Sequence, residues 1–367
     1  MADDTRDFSA LFLNDTPLMD VRAPVEFAKG AFPTATNLPL LDDDQRRRIG
    51  IRYKEAGQEA AIDLGNQLVS GALKRRRLDA WRQWREAHPD GYLYCFRGGL
   101  RSRTTQAWLA KEGLSVPLVI GGYKAMRRFL LDNLDRQLAR LPLWVLAGPT
   151  GSGKTRVIER LGRAVDLEGL AHHRGSAFGR RPGGQPTQID FENALGIALL
   201  KQADLGPGPV VMEDESKLIG RCFLPPRLQA RLRQAPRVVI EEPLEERVRV
   251  TLDDYVRAPL REYAAHYGAD QAFERLATDL QAAMDRIRRR LGGARHQQLR
   301  QALDQALAHQ RRHGDGDAHR GWIRELLAGY YDPLYQYTLR THRQGEILFR
   351  GDRQAALAFL RANIGSE

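Results

Sequence analysis

The chain of 367 residues is long enough for two domains, and 42% of its residues are hydrophobic, so each domain could bury a core. Its net charge of +11 favours a polyanionic partner, although solvated arginine-rich helix faces would give the same charge. The sequence has no run of roughly eighteen apolar residues, begins unlike a secretory signal, and has only two cysteines. We therefore expect a cytoplasmic protein with no membrane partner and no disulfide framework.

The first third alternates short apolar runs with helical patterns, which is typical of an α/β domain. The apolar runs predict strands at Leu18–Val21, Tyr92–Tyr94 and Leu118–Ile120. Helical spacing predicts helices at Leu78–His88 and Tyr123–Leu138.

A cysteine loop lies between the predicted strand Tyr92–Tyr94 and a helical pattern that begins near Thr104. In such a loop, backbone N–H groups and the positive end of the helix dipole point towards one place. They would favour the cysteine thiolate and hold an anion beside it, while glycines let the backbone curl closely. We predict a reactive Cys95 and an anion site formed by Arg97, Gly98, Gly99, Arg101 and Ser102.

The C-x5-R spacing from Cys95 to Arg101 leaves the chemistry of this loop open. Protein-tyrosine phosphatases use the same spacing, so the motif alone does not separate a phosphatase from a sulfur or selenium transferase. The upstream sequence resembles the opening of rhodanese domains at Asp20-Val21-Arg22, Glu26-Phe27, Gly30 and Asn37-Leu38-Pro39. The loop is one residue longer than in ordinary sulfur-transferring rhodaneses, which suits a tetrahedral phosphate or selenophosphate.

A second domain is predicted to start near residues 137–142, which assigns 1–138 to a rhodanese-like domain and 139–367 to a P-loop domain. Leu143–Ala147 predicts a buried strand that runs into a G-x-x-x-x-G-K-T turn, and Val157–Leu161 predicts the helix after it. Backbone N–H groups, a lysine and a threonine of such a turn bind phosphate oxygens or their metal ion. The predicted phosphate-binding residues are Gly148, Thr150, Gly151, Ser152, Gly153, Lys154 and Thr155.

Two further strands are predicted at Val210–Met212 and Val238–Ile240, and the pattern is helical from about Leu244 onward. The acids after Met212 could hold a metal or orient a nucleophile, or they could lie at a solvated strand end. The polar segment Asp166–Gly179 could contact a phosphate or a base, or could be a plain polar loop. Candidate substrate or phosphate contacts are therefore His172, His173, Arg174, Ser176, Glu213 and Glu215.

No Cys or His spacing fits a zinc site, so we predict no resident metal, and we interpret Cys222 as structural. Three basic clusters are compatible with phosphate contacts but not specific for them: Arg46–Arg48, Lys74–Arg77 and Arg286–Arg290.

Taken in chain order, the motifs resemble the tRNA 2-selenouridine synthase family. The resemblance rests on Tyr94–Ser102, Gly148–Thr155, Asp166–Gly179, Gln188–Asn193 and Glu213–Ser216. It implies an α/β fold in which a rhodanese-like domain precedes a P-loop parallel-sheet domain with a helical C-terminal extension. It also implies a two-step change at the wobble uridine of tRNA: geranyl diphosphate alkylates the sulfur of 2-thiouridine, and selenium from selenophosphate then replaces the S-geranyl group.

The resemblance also assigns roles to residues. Cys95 matches the family's active-site cysteine, thought to carry selenium as a selanylcysteine, and we expect Arg97 and Arg101 to hold selenophosphate. Our hypothesis for the P-loop is that it binds the diphosphate of geranyl diphosphate or an effector nucleotide. The implied partners are tRNA and an enzyme that supplies selenophosphate; beyond the two co-substrates no cofactor is firmly implied, and magnesium is compatible.

Two alternatives stay open from the residues themselves. One is a rhodanese-fold phosphatase or sulfurtransferase fused to a P-loop kinase, which would act without tRNA. The other is a non-enzymatic RNA- or nucleotide-binding regulator with a decayed rhodanese domain, although a decayed site would not need its cysteine, glycines and arginines together.

Overall fold

A computed structural model describes residues 3–342 and 344–365. The strands are β1 (Leu18–Asp20), β2 (Ala35–Asn37), β3 (Tyr92–Tyr94), β4 (Leu143–Ala147), β5 (Ala164–Val165), β6 (Val210–Glu213), β7 (Leu218–Ile219), β8 (Cys222–Phe223), β9 (Arg237–Ile240) and β10 (Ile347–Gly351). The helices are α1 (Phe8–Leu13), α2 (Pro24–Phe27), α3 (Asp43–Leu68), α4 (Gly71–Ala87), α5 (Leu100–Lys111), α6 (Gly122–Arg140), α7 (Lys154–Ile158), α8 (Leu167–Leu170), α9 (Gln188–Asp204), α10 (Pro226–Gln234), α11 (Leu244–Leu252), α12 (Ala258–Tyr267), α13 (Ala269–Arg286), α14 (Arg288–Leu291), α15 (Gly293–His313), α16 (Arg320–Leu326), α17 (Asp332–His342) and α18 (Arg353–Asn363).

The chain divides into two units, one of Met1–Gln137 and Thr187–Lys201 and the other of Leu138–Pro186 and Gln202–Glu367. The domain boundary predicted at 138/139 assigned Thr187–Lys201 to the P-loop domain, together with the residues on either side of it. In the structure, Asp190 accepts a hydrogen bond from the backbone of Ala31 at 2.6 Å, and Asn193 donates one to the carbonyl of Ala31 at 2.7 Å. Apolar side chains of α9 also join a core of the first unit. These partners are far away in sequence, so no local pattern indicates them.

The first unit is built on a parallel sheet of order β2-β1-β3. Asp20, at the end of β1, is paired with Tyr94, at the end of β3, so the loops after these strands start side by side. The strand predicted at Leu118–Ile120 is wrong in extent, because only isolated bridges form there, one of them between Leu93 and Leu118. The predicted helices at Leu78–His88 and Tyr123–Leu138 are confirmed as parts of α4 and α6.

Helices α3 and α4 connect β2 to β3. A capping box starts α3: the Asp42 carboxylate accepts from the Gln45 backbone at 2.9 Å, and the Gln45 side chain accepts from the Asp42 backbone at 3.1 Å. Trp81 and Trp84 of α4 are buried in the core that also contains Cys95. This packing fixes α4 beneath the cysteine loop.

The second unit is built on a parallel sheet of order β10-β9-β4-β6-β5. The α/β class with parallel sheets is therefore confirmed, and the predicted strands correspond to β4, β6 and β9. The prediction that the chain is only helical after Leu244 is wrong at Ile347–Gly351. That segment is a half-exposed edge strand beside β9, and its short apolar run is too weak a pattern to indicate a buried strand.

Between β9 and β10 the chain forms a mainly helical region with its own core around Leu303, Trp322 and Leu326. Two π-helical segments interrupt it, at Asp253–Arg257 and Leu327–Tyr331. Within the described residues, no helix combines the length and apolar character needed to cross a membrane.

Candidate functional site

Cys95 lies directly after β3, with 3% of its surface exposed. Its Sγ is 3.3 Å from Oγ of Ser102, and that hydroxyl donates to the carbonyl of Gly99 at 3.0 Å. Helix α5 begins at Leu100, four residues before the predicted start near Thr104, because Gly99 serves as its N-cap. Ser102 therefore connects the sulfur to the first turn of α5.

The backbone of the cysteine loop has unused donors. Among the described residues, none accepts a hydrogen bond from the N–H groups of Phe96, Arg97, Gly98 or Gly99. Gly98 has a φ of +64°, which favours glycine. A row of free N–H groups beside a helix N terminus suits an anion.

The turn that starts α6 supports this loop from behind. The backbone N–H groups of Tyr123 and Lys124 donate to the carbonyls of Cys95 and Phe96, both at 2.9 Å. Gly122 has a φ of +57°, and a methyl group built on it would overlap the Cys95 carbonyl and lie 2.5 Å from the nitrogen of Gly98. The glycine pair at 121–122, which no motif of the sequence marks, therefore forms the back wall of the site.

The two arginines of the loop differ in their surroundings. Arg101 forms a forked ion pair with Glu26, at 2.5 Å and 3.2 Å, and Glu26 also lies 3.1 Å from Nε of Arg46. Burial alone would raise the pKa of Glu26, but the hydrogen bond and charge of Arg101 outweigh it and hold that pKa below its ordinary value. Arg97 is exposed and pairs with no side chain in the described part of the chain.

The residues that resemble a rhodanese opening form a buried ion pair under this loop. Arg22 and Asp20 are almost fully buried, 2.6 Å apart, and Arg22 donates to the carbonyl of Gly30 at 2.9 Å. Burial lowers the pKa of Arg22, but the hydrogen bond to Asp20 more than offsets it, so the arginine stays charged. Its guanidinium stacks 3.9 Å from the ring centroid of Tyr123, so the pair supports the turn behind Cys95.

The P-loop joins β4 to α7, which begins at Lys154, three residues before the predicted helix start. Gly151 and Gly153 have φ values of +81° and +77°. Within the described chain, the N–H groups of Thr150, Gly151 and Gly153 donate to no other residue, and Lys154 donates to the carbonyl of Gly148 at 3.0 Å. Ser152 is fully buried, and its hydroxyl has no hydrogen-bond partner among these residues. The loop thus has the open donors that a phosphate would use.

Buried acids lie beside the P-loop. Oγ1 of Thr155 is 3.4 Å from Glu168, and the Glu213 carboxylate accepts from the backbone of Leu167 at 2.9 Å. A methyl group built on Gly175 would overlap Glu168 and lie 2.8 Å from Glu215, so these two carboxyls share one space. The solvated-strand-end alternative is wrong for Glu213, which is fully buried.

The surroundings of these acids raise their pKa values. Burial raises the pKa of Glu213 well above its ordinary value, and the charges of Asp166 and Glu168 raise it further. Burial also raises the pKa of Glu215 and of Glu168, and Lys154 opposes the rise in both. In the described residues, no group of three or more Asp, Glu, His or Cys side chains is arranged to hold a metal ion.

Arg353, at the start of α18, was not found from the sequence. A methyl group built on Gly153 would lie 2.9 Å from its Nη1 and 3.4 Å from its Cζ. Its Nη2 is 3.4 Å from the buried Glu242 and 3.9 Å from Glu246. A second cation therefore borders the P-loop. Sequence patterns did not predict it, because Arg353 and Gly153 are two hundred positions apart in the chain.

Two polar contacts hold the segment with the paired histidines in place, one to a nearby loop and one to α12. Nδ1 of His172 is 2.8 Å from the carbonyl of Gly184, and Arg174 pairs with Glu262 at 2.5 Å. Burial, followed by the charge of Arg180, lowers the pKa of His173 to about 4, so it is neutral at physiological pH. The segment approaches the P-loop through Gly175, which lies against Glu168.

An intact cysteine loop and an intact P-loop thus occur in one chain, in the expected order. The domain family described as "tRNA 2-selenouridine synthase AAA domain" matches residues 141–366. The chain belongs to the tRNA 2-selenouridine synthase family. Its resemblance to that family is confirmed over nearly the whole length.

Three curated relatives, each named tRNA 2-selenouridine synthase, show the extent of the similarity. The protein of Alcanivorax borkumensis is 63% identical over 99% of this chain and 100% of its own length. That of Marinobacter nauticus is 53% identical over 99% of both chains. That of Hahella chejuensis is 54% identical over 96% of this chain and 93% of its own. The similarity therefore includes the cysteine loop as well as the P-loop unit.

Proposed function

We propose that this chain converts 2-thiouridine at the wobble position of tRNA into 2-selenouridine through an S-geranyl intermediate. Geranyl diphosphate and selenophosphate are the co-substrates, and the first unit is a rhodanese-like domain. The observation that carries the proposal is the combination, in a member of this family, of a cysteine loop and a phosphate loop that both have open N–H donors.

In the alkylation step the thiouridine sulfur attacks C1 of the geranyl group, and the diphosphate leaves with the electron pair of the broken C–O bond. The P-loop N–H groups stabilise this leaving group, and Lys154 reaches it by releasing the carbonyl of Gly148. Arg353 adds a second positive charge next to Gly153. Burial raises the pKa of Glu213 and of Glu215, which favours their protonated forms and so reduces their repulsion of the diphosphate.

In the selenation step, alkylation has already turned C2 of the base into an isothiourea-like carbon. A selenium nucleophile adds at C2, the C–S bond breaks, and geranyl thiol leaves with a proton. We assign Cys95 to the release of the selenium nucleophile, because it lies at the centre of the anion cradle. Its thiolate attacks the phosphorus of selenophosphate, the P–Se bond breaks with its electron pair on selenium, and water then hydrolyses the S–phosphoryl group to phosphate. Arg97 makes the first contact with selenophosphate, whereas Arg101 joins only after exchanging Glu26 for the anion.

The segment from His172 to Ser176 contributes contacts next to the P-loop. Its support is the position of Gly175 against Glu168, which itself contacts Thr155. His173 is neutral and lies near arginines. A neutral imidazole keeps one ring N–H, which can donate a hydrogen bond to an oxygen of the substrate.

The proposal is tested by incubating the protein with tRNA that contains 2-thiouridine, geranyl diphosphate and selenophosphate, with and without magnesium. Digested nucleosides are then analysed by mass spectrometry. We expect Cys95→Ala to accumulate the geranylated nucleoside without the selenated one, and Lys154→Ala to form neither. Cys222→Ala is the matched control, since this second cysteine is a buried residue of the other unit, next to Gln185, and the variant should keep both activities.

Two results would overturn the proposal. The first is that wild-type protein forms neither product on correctly modified tRNA. The second is that it hydrolyses ATP and a small phosphate ester at the same rate without tRNA, which would support the phosphatase–kinase alternative. If the geranylated product forms only with an added nucleotide, the P-loop binds an effector instead.

A further inference from the structure

Helix α3 carries a segment that nothing in the described chain covers. Every residue from Gly50 to Glu59 is exposed, including two apolar side chains, Ile51 at 44% and Tyr53 at 56%. The helix is anchored on both sides, because Gln45 and Ala61 are buried. A helix on a protein surface ordinarily buries one face along its whole length, so a stretch exposed on all sides is available to a partner.

The charge of this segment selects the kind of partner. From Arg46 to Lys54 the sequence has five cationic side chains and no carboxylate: Arg46, Arg47, Arg48, Arg52 and Lys54. Asp44 lies within 4 Å of Arg47 and Arg48 only, and Arg52 and Lys54 form no ion pair with the described residues. Five cations within nine residues, two of them without an ion pair among the described residues, suit a phosphate backbone, and an exposed tyrosine among them suits a base.

Gly57 gives the segment an unusual end. Its φ of +79° and ψ of −172° lie in a region that is open essentially only to glycine, and they break the helix axis there. A methyl group built on it would meet nothing within 4 Å, so the glycine is required by the backbone shape and not by packing. No neighbouring residue therefore imposes this bend, and the exposed segment keeps it without packing against the described chain.

The start of the segment adjoins the cysteine loop. Glu26 contacts Arg46 of α3 and Arg101 of α5 at the same time, at 3.1 Å and 2.5 Å. Arg101 is in the first turn of α5, beside Cys95. The Glu26 carboxylate therefore joins the start of the basic segment to the anion cradle. A polymer with phosphates at regular intervals could therefore follow α3 to the cysteine.

We propose that residues 46–57 of α3 form an RNA-docking surface that binds the tRNA backbone next to the nucleotide delivered to Cys95. Arg52 and Lys54 contact phosphates, and Tyr53 stacks on an unpaired base of the anticodon loop. This inference rests on the proposed function, since that function makes tRNA the substrate.

The test is a fluorescence titration of a 2-thiouridine-containing anticodon stem-loop at several salt concentrations. We expect the variant with both Arg52→Ala and Lys54→Ala to bind about tenfold more weakly and to reduce the slope of log affinity against log salt by about 2. We expect Tyr53→Ala to weaken binding by about tenfold without changing that slope. These exposed side chains form no hydrogen bond or ion pair with the residues that the structure describes, so the variants should unfold at the wild-type temperature.

The matched control removes Arg261 and Arg312, two exposed arginines on α12 and α15 of the other unit. An equal loss of affinity in the control pair would assign the effect to overall charge and overturn the proposal. Unchanged binding in the α3 variants would also overturn it and leave the segment to a protein partner. If wild-type protein itself does not bind the RNA, the proposed function fails before the docking surface is tested.

Discussion

Replacing Arg353 by alanine should weaken the binding of inorganic pyrophosphate, the simplest mimic of a diphosphate leaving group. Arg353 borders Gly153 of the P-loop, and its guanidinium is held by Glu242 at 3.4 Å, which is at the outer limit of a hydrogen bond. Turning from this weak partner to a phosphate oxygen therefore costs little. Arg353→Ala removes one charge-assisted hydrogen bond from the bound state.

The size of the effect follows from that geometry. A hydrogen bond to a charged group contributes about 1.5–3 kcal/mol, and releasing Glu242 subtracts part of it. A net loss of about 1.4 kcal/mol corresponds to tenfold weaker binding. Arg353→Lys should recover part of the loss, because the charge is kept but the planar fork is not.

Isothermal titration calorimetry with pyrophosphate measures this directly. The control is Arg350→Ala, which removes another arginine that pairs with a glutamate, Glu241 at 2.7 Å. Both side chains of that pair are half-exposed, so it is a surface ion pair. We expect the control to bind like the wild type. The reasoning is refuted if Arg353→Ala binds pyrophosphate as tightly as the wild type, or if Arg350→Ala loses as much.

Three further predictions concern stability and the cysteine loop. The pKa of His173 is about 4 in the folded protein against 6.5 unfolded, so the wild type should lose up to about 3 kcal/mol of unfolding free energy as pH falls through this window. Urea unfolding of His173→Asn should show a smaller loss. The pKa of Glu213 is raised by burial, so its contribution is complete below the unfolded pKa and is lost as pH rises through the folded one. Glu213→Gln should therefore gain stability relative to the wild type as pH rises above about 4.5, the ordinary value for this carboxyl. Gly122→Ala should lose selenation while keeping geranylation, and should unfold about 1–3 kcal/mol more easily because of its φ and its overlap with Cys95.

Each of these predictions has an outcome that contradicts it. Parallel pH profiles for wild type and His173→Asn would show that this histidine does not titrate as its burial requires. For Glu213→Gln, a free energy of unfolding that falls relative to the wild type as pH rises above about 4.5 would have the wrong sign. For Gly122, the control is Gly113→Ala, which has a φ of +78° but no atom near the new methyl. Equal losses of selenation in both variants would attribute the effect to backbone strain in general.

The sequence predicted what depends on neighbours along the chain. The strand–loop–helix context placed both loops correctly, since a buried strand, glycines and a following helix are local signals. It also predicted Lys154 and Cys95 as the residues at the centre of each loop. Only the exact helix starts were wrong, because Gly99 and Gly153 end the loops earlier than apolar spacing indicates.

What the sequence did not show depends on residues brought together by the fold. Glu26 occupies Arg101, Gly122 backs the cysteine loop, and Arg353 borders the P-loop. Each acts on a partner between about twenty and two hundred positions away, and each is a common residue type with no motif around it. Burial and pairing, which decide their roles, are properties of the tertiary structure alone.

The excursion of Thr187–Lys201 into the first unit has a consequence for synthesis on the ribosome. The first unit lacks Ile197 and Leu200 of its core until α9 has been made, so it cannot complete its folding when residue 137 emerges. By the time α9 has left the ribosome, the P-loop and the acids Asp166 and Glu168 have left it too, but the second sheet still lacks β6. Neither unit is a self-contained segment of the gene, and a fragment that ends at residue 137 should expose an apolar surface and aggregate. The two loops thus depend on one polypeptide, because a cut at residue 137 leaves the first unit incomplete and a cut after residue 201 leaves the second unit incomplete.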